Sequence, residues 1–82
     1  LAQFNLALMY FEGKGVAKST KMSYIWNIIA AKNAYRMAEK SRDMDEHKLS
    51  VDEIKESREK ADAIYRKIIE QRELKLRQAS NR

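Results

Sequence analysis

The chain has 82 residues, no cysteine, no proline, only two glycines and a formal net charge of +5. That length holds one small domain or a piece of a larger one, and the missing cysteines exclude the disulfide framework of small secreted domains. Its longest uncharged runs fall far short of the ~20 apolar residues that cross a bilayer, so no membrane span is expected. A chain so poor in breakers and so rich in Ala, Lys, Glu, Arg, Ile and Met reads as all-α. No charged n-region followed by an apolar segment and a cleavage site is visible. With Leu1 in first place, the chain is expected to be a fragment of a longer protein. Six Lys/Arg face two acids over residues 1–40, and again from Arg66 onward. Such an excess is consistent with a nucleic-acid or acidic-protein partner, but the preferred reading is a surface that merely keeps the chain in solution.

Residues 1–12 predict a first helix. Steps of about 100° per residue place Ala2, Leu6, Met9 and Tyr10 on one side with Ala7 at its edge, and Leu1, Phe4, Leu8 and Phe11 on the other. A helix apolar on nearly every side is expected to be buried. Gly13 and Gly15 can take the positive φ that ends a helix and reverses the chain.

Ser19 offers a cap to a second helix running to about Asn33, with Met22, Ile25, Trp26, Ile29 and Ala30 at helical spacing. A weaker third helix follows from Tyr35 to His47, with Ala38 and Met44 buried and Lys40, Arg42, Asp43, Asp45 and Glu46 exposed. The last helix has the sharpest start. In LSVDEI, Ser50 and Glu53 form a capping box, and Leu49 and Ile54 occupy the hydrophobic-staple positions. Acids crowd its first turn and bases its end, both favourable to the macrodipole. Val51, Ile54, Ala61, Ile64, Tyr65 and Ile68 make its apolar stripe, expected to pack back on the third helix. The residues from Gln78 onward are expected to fray.

The order Ala2, Leu6, Ala7, Tyr10, Gly13-Lys14-Gly15-Val16, Trp26, Ala30-Ala31 resembles the Sel-like repeat, an αα-hairpin relative of the tetratricopeptide repeat. Ala7 stands where that family commonly has Gly, Ser19 where Asp usually caps, and Ser23 where Ala usually packs. All three changes keep the residue small or keep the cap. Ala34 replaces the closing Gly, which suggests a less sharp turn into the third helix. Small side chains at Ala7, Ser23 and Ala30 would let two helices approach closely. Tyr10 and Trp26 would fill the space around that contact, with polar tips that need partners.

Beyond residue 34 the repeat degenerates, as a terminal solenoid unit that must meet water would. Some bacterial Sel-like proteins finish similarly, with a polar helix and then a capped one. The expected architecture is therefore an α-solenoid fragment of about four helices. It comprises a repeat hairpin over residues 1–34, a degenerate repeat or C-terminal cap over 35–78, and a frayed tail over 79–82. The resemblance implies a non-enzymatic scaffold or adaptor that binds a protein or peptide partner. The absence of Cys excludes the family branch with disulfide-clamped repeats.

Candidate chemistry is sparse. Gly13-Lys14-Gly15 lacks the spacing and the preceding strand of a phosphate-binding loop, although Lys18-Ser19-Thr20 follows it. His47 has no cysteine or second histidine with which to hold zinc, and no Ser-His-Asp or Cys-His set exists. Asp52, Glu53 and Glu56 are explained by their place at a helix start. Hence no catalytic residue, cofactor or metal is expected.

The apolar side Leu1, Phe4, Leu8 and Phe11 either packs on a preceding repeat or reads a partner. Either way it should promote self-association of the fragment. The rival is a small basic nucleic-acid binder using Arg66, Lys67, Arg72, Lys75 and Arg77. Its single aromatic and the interrupting Glu70 and Glu73 argue against that reading.

Overall fold

The computed structural model describes residues 2–80 and is built of four helices: α1 Ala2–Glu12, α2 Thr20–Lys32, α3 Arg36–Glu46 and α4 Val51–Ser80. No strand occurs among the described residues. The expected tail is helical as far as Ser80; the rest of it, residues 81–82, lies outside the described residues, as does Leu1.

The first turn reverses the chain. Gly13 (φ 73°) and Gly15 (φ 75°) both take left-handed conformations, and the Met9 carbonyl accepts the N–H groups of Gly13 and Lys14 at 2.8 and 3.1 Å. Gly13 is constrained twice over, since a Cβ there would stand 3.3 Å from the Lys18 Cβ. The Ser19 N–H then donates to the Tyr10 carbonyl at 3.0 Å, and the Ser19 hydroxyl accepts from the Met22 N–H at 3.1 Å, capping α2. At the far end Asn33 Nδ2 donates to Gln3 Oε1 at 2.7 Å. Contacts at both ends make α1 and α2 antiparallel.

The second turn corrects an expectation. Ala34 does not soften the reversal; it takes φ 62° itself. The Ala34 N–H donates to the Ala31 carbonyl and the Tyr35 N–H to the Ala30 carbonyl, at 3.0 and 3.3 Å. This is a Schellman closure with Tyr35 packed near Ala30. Backbone geometry here demands what glycine supplies, and an alanine bears the strain.

α2 is the hub, packing against α1, α3 and α4. On one flank Phe4, Ala30 and Ala38 join α1, α2 and α3, with the Phe4 and Tyr35 rings edge to face at 4.9 Å. On the other, Ile25, Ile29 and Ala61 join α2 to α4, flanked by Trp26, Ile64, Tyr65 and Ile68. Lys21 pairs with Glu56 and Lys32 with Asp62, so α4 runs parallel to α2. It therefore lies on the second helix, where the sequence suggested the third. It touches α3 through Arg58 and Glu46, 3.4 Å apart. Its start is as read: Ser50 and Glu53 exchange backbone and side-chain bonds at 3.0 and 3.1 Å. With 30 residues against 13 in α2, α4 spans about 45 Å and sets the molecule's 48 Å long axis.

Several burial expectations are corrected. Only Phe4 and Ala7 of α1 are buried; Leu8, Met9 and Phe11 are each about two-fifths exposed, because α2 covers one flank only. Ala2 is also exposed, whereas Leu6 and Tyr10 are half-buried. Trp26 sits with the α2–α4 cluster, and its buried indole N–H finds no acceptor among the described residues. Val51 is 82% exposed and does not join the α4 stripe, whereas Ser57, unmarked in the sequence, is fully buried.

The sharpest correction is in α3. Met44 is 61% exposed and Asp45 only 2%, the reverse of the expectation. Seven residues turn a helix through within about 20° of two full turns, so Asp45 shares the face of Ala38 and Met44 does not.

Candidate functional site: the groove between α1 and α3

α1 and α3 both lie on α2 and leave a cavity of ≈ 130 Å³ between them. Its walls come from Phe4, Leu8 and Phe11 of α1 and from Met44 of α3, with Lys48 beyond the end of α3. Ala7, Ser23, Asn27 and Asp45 contribute to its floor. The groove exists because α1 and α3 carry alanine, at positions 7 and 38, where they press on α2; both are buried. Long side chains are left for the rims.

The floor is polar. The Ser23 hydroxyl donates to Asp45 Oδ2 at 2.8 Å and Asn27 Nδ2 donates to the same oxygen at 3.0 Å. Ser23 and Asn27 are one turn apart on α2 and face Asp45 together. Donation from Nδ2 to a carboxylate fixes the amide's orientation and leaves Asn27 Oδ1 buried with no donor among the described residues. At the mouth the Lys48 ammonium stands 4.8 Å from the centre of the Phe11 ring, and that of Lys18 5.9 Å from it. Two cations thus stand within reach of one aromatic ring.

Next to the floor, the Tyr24 hydroxyl donates to Glu46 Oε2 at 3.0 Å and accepts from Arg58 Nε at 3.3 Å. Burial pushes the Tyr24 phenol above its ordinary range, and hydrogen bonding to Tyr24 raises the Arg58 guanidinium. At the start of α4, the Ser50 N–H holds the Glu53 carboxyl below its usual value.

Of the sequence-derived partner residues, Phe4, Leu8 and Phe11 line this cavity; Leu1 lies outside the described residues. Phe4 is largely spent on the core, while Leu8 and Phe11 form the open rim. Reading the sequence missed the opposite wall and floor: Met44, Lys48, Asn27 and Asp45. Two spacings signalled them, Ala38 to Asp45 across two turns and Ser23 to Asn27 across one. Among the repeat-motif positions, Ala30 is buried, and Ala31 and Val16 are half-buried.

Gly13-Lys14-Gly15 is a helix-reversing turn. His47 is exposed at the end of α3, and among the described residues no three His, Cys, Asp or Glu gather to hold a metal. No helix is long and apolar enough to cross a membrane, again among the described residues. The bases Arg66, Lys67, Arg72, Lys75 and Arg77 are all exposed on α4.

Comparison with protein-family models, with curated proteins and with solved structures finds no match.

Proposed function

We propose that the chain is a non-enzymatic protein–protein interaction module, a scaffold or adaptor of the Sel-like repeat kind, whose binding face is the groove between α1 and α3. The observation that carries this reading is the pairing of exposed apolar rims, Leu8, Phe11 and Met44, with a recessed polar floor. Apolar rims provide the area that drives association, and a few placed polar groups provide selectivity. Two sequence features support the repeat assignment. The Gly13–Gly15 turn makes an antiparallel hairpin, and Ala34 adopts the left-handed conformation at the place of the motif's closing glycine.

The test is a selection of random peptides on the 82-residue chain, repeated on Leu8→Glu/Phe11→Glu with circular dichroism as a check on folding. Peptides that bind the parent and are lost on the variant support the reading. Peptides bound equally by both would overturn the placement of the face. In sedimentation the parent should self-associate through the same rims and the variant should not; a strictly monomeric parent at high concentration counts against that surface.

The rival is nucleic-acid binding by the α4 bases. An affinity for duplex DNA that falls about a thousandfold or more between 50 and 200 mM salt would favour it.

A further inference from the structure

The floor of the groove holds a carboxylate that the protein's own donors meet on one oxygen only, among the described residues. Asp45 is 2% exposed, and both of its side-chain hydrogen bonds fall on Oδ2. Among the described residues no bond is made to Oδ1, and no cation lies within 4 Å of the carboxylate. Asn27, also 2% exposed, adds an acceptor with no donor among the described residues. One buried acceptor with no donor, on Asn27, and one carboxylate oxygen with no protein donor, on Asp45, thus lie beside a cavity with apolar walls. A buried carboxylate is stabilised by a cation that brings its own hydrogen bonds.

We propose that this cavity receives the side chain of an arginine carried by a partner protein's segment, its guanidinium against Asp45 and Asn27 and its methylene stem against Phe4, Leu8, Phe11 and Met44. The assignment rests on the interaction-module reading above and names the partner's chemistry. Arginine fits better than lysine for two reasons. Its planar fork offers several donors to separate acceptors at once, and it sheds water more readily than an ammonium. A long aliphatic stem ending in a charge matches apolar walls over an acidic floor. Lys18 and Lys48 at the mouth favour acidic neighbours for that arginine. The chain's net charge of +5 is screened over ~8 Å at physiological salt, whereas Asp45 acts at contact.

The experiment takes the peptides selected on the parent chain and replaces arginine by citrulline, which keeps the shape and removes the charge, or by lysine. The selected peptides should share an arginine. Citrulline should weaken binding about tenfold or more, since hydrogen bonds to charged groups carry that much, and lysine should fall between. On Asp45→Asn the arginine and citrulline peptides should bind alike. Should Asp45→Asn fail to fold, the citrulline comparison on the parent chain decides alone. Citrulline peptides that bind as well as arginine ones, or an arginine preference that survives Asp45→Asn, would overturn the assignment. Those outcomes leave the interaction module standing if binding is still lost on Leu8→Glu/Phe11→Glu. Selection of no peptide at all sinks both.

Discussion

The two faces of α2 solve opposite problems with the same thirteen residues. Toward α4 it presents Ile25 and Ile29, closed over by Ala61, Ile64 and Ile68. Toward α1 and α3 it presents Ser23 and Asn27, which grip Asp45 beneath a cavity. The first face stabilises by removing apolar area from water, a contribution indifferent to direction. The second gives up part of that gain for directional bonds that fix how α3 sits. One side of the helix therefore closes the core against α4, and the other floors the cavity between α1 and α3.

The largest effect should come from the dry face. Ile29→Ala, at a side chain with no exposed area, should cost about 3 kcal/mol in denaturant unfolding. A loss below about 1 kcal/mol would mean that α4 does not close over α2 as described. Next, Asp45→Ala leaves the Ser23 hydroxyl and the Asn27 amide without their acceptor and should cost about 2 kcal/mol. An unchanged midpoint would show that the polar face contributes nothing to holding α3.

Ser50→Ala tests an element outside both faces and should cost about 1 kcal/mol through the lost cap. Its partner Glu53 has a lowered folded-state pKa. The stability it contributes is therefore present above the ordinary carboxylate value and is lost as pH falls through the lowered one. Glu53→Gln should flatten that part of the pH profile, and an identical acid limb in both proteins would contradict the box.

The smallest effect runs the other way. Ala34→Gly relieves a left-handed alanine at some cost in unfolded-state entropy, and should stabilise by about 0.5–1 kcal/mol. A destabilised variant would contradict the positive φ.

Much of the local structure was legible beforehand, since local rules decide it. Ser19 and Ser50 cap helices because a hydroxyl there reaches an N–H two or three residues on. Gly13 turns the chain because its backbone needs a positive φ. The site was half legible. Phe4, Leu8 and Phe11 announced an apolar rim through helical spacing, but the facing wall did not announce itself. Hydropathy favoured burying Met44, whereas helix phase, together with donors from another helix, buried Asp45. Similarly, the α4 stripe was visible, but nothing local said that it would lie on α2 and leave Val51 in water.

By itself, then, the amino-acid sequence determined that this protein is helical, where its helices start and turn, and that its first helix carries apolar residues beyond what one neighbour can cover. Only the tertiary structure decided which helix becomes the hub, which carboxylate is drawn inward and where a cavity opens. The reason is one of range. Caps, turns and periodicity are set by interactions within a few residues. The partners of Asp45, by contrast, lie 18 and 22 residues away along the chain, and no local pattern can choose them.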